Sequence, residues 1–191
     1  MSKVLSATCL FFAFAAQAEV VTGSVKFFQG RYVESGAPYA YYAVSNGASK
    51  IVLPDWIDGS KLPTANQITI DGDLESLACT DMSSACIDAM FTKIKSVNIV
   101  TSFLEIPMKS YGTKIKLLSG RAVESPRTYS YYAIVPSRVE VPNFLNPVKL
   151  IKAKAKKVEA SGVLESVMCT DMSAACGPST FSTLGGVTVT F

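Results

Sequence analysis

The residues best suited to chemistry stand in two nearly identical segments, CTDMSSAC at 79–86 and CTDMSAAC at 169–176. Each segment offers two cysteines, one aspartate and one methionine. Zinc takes its ligands from cysteine, histidine and carboxylate, and soft ions such as Cu(I) accept cysteine together with methionine. The chain contains no histidine, so a four-cysteine site would require the two segments to meet. We therefore predict neither a metal site nor a cofactor.

The spacing of the cysteines within each segment favours a structural disulfide. It is wider than the Cys-x-x-Cys spacing of redox motifs, and no Lys or Arg lies inside the segment to stabilise a thiolate. The intervening Thr, Asp and Ser are turn and cap formers, so one tight helical turn can bring the Cα atoms within the roughly 4.4–6.8 Å that a disulfide needs. We predict the pairs Cys79–Cys86 and Cys169–Cys176, each contributing about 2.5 kcal/mol in the chain-entropy model.

Residues 1–18, MSKVLSATCLFFAFAAQA, have the pattern of a secretory signal peptide. Lys3 precedes a short apolar run, and Ala16-Gln17-Ala18 forms a small-residue cleavage site. The run is shorter than the roughly 20 apolar residues of a membrane-spanning helix. We therefore expect a mature chain from Glu19 without a transmembrane segment, in the periplasm or secreted, where its four remaining cysteines can pair.

Three segments of the chain occur twice at one offset of 90 residues. GRYVES at 30–35 returns as GRAVES at 120–125, YAYYAV at 39–44 as YSYYAI at 129–134, and LESLACTDMSSAC at 74–86 as LESVMCTDMSAAC at 164–176. A shared offset indicates a duplicated structural unit. We expect a first unit over residues 19–103 and a second unit over 104–191, packed together because the junction between them is short.

Both units show the period-two alternation and the turn residues that are typical of short strands. Strands are predicted over 20–28, 39–45, 50–53, 67–76 and 91–100 in the first unit, and over 113–118, 129–135, 138–141, 158–167 and 187–191 in the second. Five short strands in a unit of this size fit a small closed barrel, which removes exposed sheet edges.

Two of these strands carry a resemblance to a known fold. The segment TGSVKFF has a glycine and a basic residue, and QITIDGDLES has the I-x-I/V-x-G-x-L pattern common in fourth strands of OB-folds. Each unit thus resembles an OB-fold, the five-stranded Greek-key barrel. The resemblance covers the mature chain and implies an all-β protein of two tandem OB-like barrels, each with a local disulfide. An immunoglobulin-like sandwich or another small barrel is the alternative, although five strands are fewer than the seven of a sandwich.

Many OB-folds carry a helix between their third and fourth strands. In the first unit the corresponding residues, 58–66, are few and include Pro63. We therefore predict no helix at this position.

The tyrosines of the second strands are candidate ligand residues. Alternation places Tyr39 and Tyr41 on one face of the strand and Tyr42 and Val44 on the other; Tyr129 and Tyr131 repeat the pattern in the second unit. On OB-folds the face of strands two and three binds ligands, and outward aromatic rings stack on bases or sugars. The alternative is that these tyrosines cover the neighbouring unit.

Charge and one tryptophan distinguish the two units. Residues 19–103 hold six Lys/Arg and nine Asp/Glu, whereas residues 104–191 hold eleven and six. The excess comes from KLIKAKAKK at 149–157, whose alternation predicts a cationic strand face able to bind a polyanion, or else a solvated edge. The lysines concerned are Lys149, Lys152, Lys154 and Lys156. Trp56 has no counterpart in the second unit and is either a sugar platform or a cap on the barrel end.

These residues predict binding and not catalysis. Without histidine the usual general base is missing, so we expect no enzyme. The predicted function is an exported binding or interaction module for a saccharide, an anionic envelope component or a protein partner. Export argues against nucleic acid as the ligand. The alternative is a structural or inhibitory protein that forms homo-oligomers or blocks an extracellular enzyme.

Overall fold

The alternating apolar residues of the first unit form five strands, which pair antiparallel except for one short parallel contact. A computed structural model describes residues 17–77, 85–102, 109–121, 128–165 and 179–191, and the predicted signal segment therefore lies almost entirely outside the described residues. The strands of the first unit are β1 (Gln17–Arg31), β2 (Pro38–Asn46), β3 (Ser49–Val52), β4 (Gln67–Ser76) and β5 (Ala89–Val100).

The strand pairings of the first unit run in a closed cycle. β1 pairs antiparallel with β4 through its first part and with β2 through its second part. β2 pairs with β3, and β4 pairs with β5. A short parallel contact, Ile51 with Ala89, joins β3 to β5 and completes the cycle.

The second unit repeats this order of pairings. Its elements are β6 (Lys109–Tyr111), β7 (Lys114–Arg121), β8 (Thr128–Val135), β9 (Val139–Glu140), the helix α1 (Pro147–Lys152), β10 (Lys157–Glu165) and β11 (Thr180–Thr190). β6 and β7 correspond to the two parts of β1, since β6 pairs with β10 and β7 with β8. β8 pairs with β9 and β10 with β11. A parallel bridge from Val139 to Ser179 makes the last contact.

The two units join edge to edge through their last strands. β5 and β11 are antiparallel, with Val97 opposite Val189 and Ile99 opposite Val187. Val187 and Val189 are the residues 90 positions after Val97 and Ile99. Val97 therefore faces the counterpart of Ile99, and Ile99 faces the counterpart of Val97. A two-fold axis between the units produces this reciprocal arrangement.

Two further pairs of hydrogen bonds obey the same approximate two-fold symmetry. The Asp58 amide donates to the Phe144 carbonyl at 2.7 Å, and the Asn146 amide donates to the Trp56 carbonyl at 2.8 Å. At the strand ends, the Phe191 amide donates to the Lys95 carbonyl and the Thr101 amide donates to the Gly185 carbonyl, both at 2.9 Å. The two units consequently pack against each other through a shared sheet and are not separate domains joined by a linker.

One apolar cluster extends through both units. Its buried members come from strands of both units, from the turn after β3 and from α1, while β7 contributes only the partly buried Ile115; they include Val21, Val44, Ile51, Trp56, Ile68, Ile70, Val97, Ile99, Ile134, Phe144, Leu150, Val158, Val187 and Val189. Most of these buried side chains are β-branched or aromatic, the types that fit a pleated and half-buried surface. The chain is thus mostly β, with α1 the one α-helix in the described residues.

One sequence-based expectation is wrong at the segment before β10. The lysine alternation was expected on a strand, but residues 147–152 form α1 and β10 begins only at Lys157. Asn146 caps the helix by accepting a hydrogen bond from the Lys149 amide at 3.0 Å, and Pro147 occupies its first turn, both of which favour a helix start. The second unit therefore carries a short helix between its third and fourth strands, and the first unit has a 3-10 turn there over Gly59–Lys61.

Candidate ligand-binding surfaces

The second strand of each unit carries a row of tyrosines on one face. In the first unit the ring centres of Tyr39 and Tyr41 are 5.9 Å apart, and in the second unit those of Tyr129 and Tyr131 are 6.0 Å apart with an interplanar angle of 20°. The fully buried Val44 and Ile134 lie on the opposite faces of the same strands. The two tyrosines of each row thus share one face, as predicted, but in the first unit the exposure is the reverse of that expected for a ligand face, since Tyr39 is 9% exposed and Tyr42 36%.

A glycine on the neighbouring strand allows the first ring of each row to lie flat. Gly30 is opposite Tyr39 and Gly120 is opposite Tyr129. A Cβ atom at residue 30 would come within 2.5 Å of the Tyr39 hydroxyl oxygen, and one at residue 120 within 2.3 Å of the Tyr129 hydroxyl oxygen. Only glycine leaves this room, which explains why both GRYVES and GRAVES begin with it.

In the first unit the tyrosine row holds the chain that leads into β5. The Tyr41 hydroxyl donates to the Ala85 carbonyl at 3.0 Å, and Lys50 Nζ donates to the Cys86 carbonyl at 3.3 Å. Burial, with a further contribution from the nearby Tyr39 and Asp88, raises the pKa of the Tyr41 hydroxyl above its ordinary value. Tyr39 itself is only 9% exposed. This row therefore acts in large part as a support for the segment that carries Cys86.

In the second unit the tyrosine row is more accessible and is accompanied by charge. Tyr129 and Tyr131 are both half-buried, and Arg138 Nη2 donates to the Tyr131 hydroxyl at 3.1 Å. That contact raises the pKa of the Arg138 guanidinium above its ordinary value. We call Tyr129, Tyr131 and Arg138 the second-unit row.

Register places further charged side chains on the face of the second-unit row. Lys116 and Glu140 lie opposite Ala133 from either side, and residues directly opposite one another share a face of the sheet. Ala133 is on the same face of β8 as Tyr131 because the two are separated by one residue. The exposed Lys116 and Glu140 therefore flank the tyrosines.

The lysine segment lies mainly at the boundary between the units. Lys149 Nζ contacts the Asp55 carboxylate at 3.3 Å and the Asp55 carbonyl oxygen at 3.0 Å, so the basic unit meets the acidic unit within one molecule. Lys152 ends α1, and Lys154 has a positive φ of 61° in the following turn. The Lys156 amide donates to the Thr190 carbonyl at 2.8 Å. The four lysines do not form one strand face.

Trp56 lies at the same boundary and is only 3% exposed. Its ring centre is 5.7 Å from that of Phe191, and it belongs to the apolar cluster. Of its two interpretations from sequence, burial favours packing at the end of a unit. The reciprocal hydrogen bonds show Phe144 at the symmetry-related position, so the expectation that Trp56 has no counterpart is wrong. An 88-residue offset in place of 90 concealed the pair.

The predicted disulfides can be followed at one cysteine. Cys86 is disulfide-bonded, while Cys79, Cys169 and Cys176 lie outside the described residues. The pairs Cys79–Cys86 and Cys169–Cys176 therefore remain predictions. The sequence analysis did not identify Lys50 and Arg138, the two cations beside the tyrosine rows. Both stand at or just before the start of the third strand of their unit, and this shared position could have identified them.

No α-helix in the described ranges is both long and apolar enough to cross a membrane. In comparisons with known proteins, no protein-family model, no curated protein and no solved structure matches this chain.

Proposed function

We propose that this protein is an exported, non-catalytic binding module whose two OB-type barrels serve as a scaffold, and that its second-unit row binds an acidic saccharide of the cell envelope. The observation that carries the proposal is the near-parallel pair of Tyr129 and Tyr131 rings, 6.0 Å apart and half-buried, with Arg138 bound to one of them.

The closed cycle of pairings supports the OB-type barrel. Five strands joined through antiparallel ladders, with only a short parallel contact between the third and the fifth, suit a partly open Greek-key barrel. The helix between the third and fourth strands of the second unit adds to the likeness. In such a barrel the face of strands two and three is the usual ligand surface, and this is the face on which the tyrosine rows lie.

Stacked rings and charge together favour a saccharide with acidic groups. Flat aromatic rings accept a planar or ring-shaped ligand without requiring one sequence of monomers. Lys116 and Arg138 place two positive charges beside the tyrosines against the one negative charge of Glu140. A surface with a net positive charge raises the local concentration of an anionic polymer.

Export is the remaining element of the proposal. Residues 1–18 have the pattern of a cleaved leader, and a compartment that permits disulfides agrees with the bonded state of Cys86. A polymer of the cell envelope would be present in that compartment. The lack of histidine supports binding in place of catalysis.

The proposal is tested by calorimetric titration with an oligogalacturonate and with a neutral cello-oligosaccharide of equal length. We expect the acidic oligomer to bind more tightly than the neutral one. Its affinity should fall as salt is raised from 50 to 500 mM, because salt screens the charges and because a polyanion releases its own condensed cations when Lys and Arg bind it. Tyr131→Ala should weaken binding by about 5- to 150-fold, as loss of one stacking ring does for nucleobases.

Matched variants separate ligand contact from folding. Lys116→Gln should reduce the salt dependence, whereas Lys26→Gln, the equivalent position on β1 of the first unit, should not. Tyr132→Phe changes a tyrosine on the opposite face of β8 and should leave affinity unchanged. Binding that is independent of both salt and Tyr131 would reject the proposal.

Light scattering distinguishes the alternative of a self-assembling or enzyme-blocking protein. A ligand-binding module of this kind is expected to be monomeric at micromolar concentration. A stable oligomer that is lost in Tyr131→Ala would instead assign the row to an interface between copies of the chain.

A further inference from the structure

Two clefts lie at symmetry-related positions on either side of the junction between the units. The first, of about 540 Å³, is lined by Trp56, Met90, Phe91, Lys93, Ala153 and Phe191 among others; we call it the Trp56 cleft. The second, of about 480 Å³, is lined by residues that include Phe144, Thr180, Phe181 and Thr101; we call it the Phe144 cleft. Both volumes fall in the range of ligand sites in proteins, about 300–1,000 Å³.

The same backbone arrangement creates both clefts. In the first unit β3 and β5 pair only at Ile51 and Ala89, so the two strands separate beyond that contact. The Phe191 amide, from the end of the second unit, donates to the Lys95 carbonyl at 2.9 Å and closes the far end. The Thr101 amide makes the equivalent bond at the Phe144 cleft.

The side chains that line the two clefts have diverged. Where the Trp56 cleft has Met90 and Phe191, the Phe144 cleft has Thr180 and Thr101, the residues 90 positions away in each case. Met90 is 37% exposed, although apolar side chains are usually turned away from water when packing allows it. Both clefts share a phenylalanine, Phe91 or Phe181, but the Trp56 cleft has two further apolar side chains where its sister has threonines.

Unpaired positive charge lies at the rim of the Trp56 cleft. Lys93 is part of the lining and forms no ion pair with the residues that the structure describes. Ala153, also in the lining, stands between the exposed Lys152 and Lys154 in the chain. The one lining carboxylate, that of Asp55, is already paired with Lys149 at 3.3 Å. Residue 183, the counterpart of Lys93, is a threonine.

We propose that the Trp56 cleft binds an anionic amphiphile, a molecule with an apolar chain or ring and one carboxylate or similar acidic group. The apolar part lies against Met90, Phe91 and Phe191, and the acidic group lies near Lys93. The charge at the rim complements the ligand and argues against a neutral hydrocarbon or an amine. This site is independent of the second-unit row and of the saccharide proposed for it.

Trp56 provides a direct reporter because it is the only tryptophan of the chain. The experiment titrates the protein with octanoate, decanoate and decanol, each below its aggregation limit, and follows the tryptophan emission. We expect saturable binding of decanoate, with affinity increasing up to about four-fold for each methylene added from octanoate. Decanol should bind more weakly than decanoate.

Two variants divide the apolar and ionic contributions. Lys93→Gln should weaken decanoate several-fold and leave decanol unchanged, while Lys26→Gln, which alters a lysine outside the cleft, should change neither. Met90→Thr introduces the residue of the sister cleft at an exposed position and should weaken both ligands. Absence of saturable binding, equal affinity for decanol, or an unchanged decanoate affinity in Lys93→Gln would each overturn the proposal. Oligogalacturonate binding by these variants should be unaffected, so this site and the second-unit row can fail separately.

Discussion

Leu150→Ala is a substitution in the second unit, but we expect it to destabilise the first unit as much as the second. Leu150 is the buried residue of α1, with an exposed fraction of 0%, and it shares one apolar cluster with Trp56 of the first unit. A fully buried Leu→Ala change costs about 2–5 kcal/mol. Because β5 and β11 join the units in a continuous sheet, the loss should be shared by the whole chain.

The size of the effect follows from the length of the chain. For a protein of 150–250 residues, each kcal/mol lowers Tm by about 2–4 °C, so a loss of about 3 kcal/mol should lower it by about 6–12 °C. Thermal unfolding is followed by Trp56 emission, which reports the first unit, and by far-UV circular dichroism, which reports both. The two signals should show one shared transition before and after the substitution.

The neighbouring residue supplies the control. Ile151 is on the same helix but 48% exposed, so Ile151→Ala should change stability by about 0.5 kcal/mol or less. If Leu150→Ala left the Trp56 transition unchanged while a second transition appeared in circular dichroism, the units would be independent. Cooperative unfolding through the β5–β11 junction would then be wrong.

Three other predictions concern the row, the acid limb of stability and the cysteines. Gly120→Ala should displace the Tyr129 ring, since a Cβ there would lie 2.3 Å from its hydroxyl oxygen, and saccharide affinity should fall in calorimetry while the fold is retained. The Ser60 hydroxyl and Lys61 lower the pKa of Asp58, so its stabilising contribution is present at neutral pH and is lost as pH falls through the lowered pKa. Asp58→Asn should therefore reduce the pH dependence of the free energy of unfolding in urea between pH 5 and 2. An unchanged pH dependence would contradict this. Thiol titration of the denatured, unreduced mature protein should find no free thiol, and two or more would refute the predicted pairs.

The strands were predictable because their signal is local. β4 was predicted over the range in which it is found, since alternating isoleucines and a following Gly-Asp-Leu fix both its face and its length. β11 begins at Thr180, seven residues before the predicted start. Its early part contains Gly185 and Gly186, which weaken a local strand signal, but pairing with β10 and β5 on its two sides supports it.

The helix α1 shows how two local signals compete. Lysines at alternating positions suggested a strand, whereas Asn146 followed by Pro147 is a typical helix start. The helix forms because Leu150 can enter the core while the lysines remain in water. Asn146 and Pro147 are therefore the stronger of the two local signals.

The clefts could not be predicted from sequence because each combines distant parts of the chain. Trp56, Met90, Ala153 and Phe191 come from four segments and both units. Their meeting depends on the reciprocal hydrogen bonds and on the β5–β11 register, which are non-local. Only the asymmetry was visible beforehand, as a tryptophan in one unit and lysines in the other.

The shared backbone of the two clefts leads to a last prediction. Since the same hydrogen bonds build both, their difference resides in side chains, and a transfer of side chains should transfer binding. Thr180→Met with Thr183→Lys places the apolar and ionic groups of Met90 and Lys93 in the Phe144 cleft. Equilibrium dialysis should then find two decanoate sites per chain in place of one. Thr180→Met alone should add a weaker site without preference for the acid over decanol. If the double variant stayed at one site while it remained folded, the side chains of the lining would not be what determines amphiphile binding.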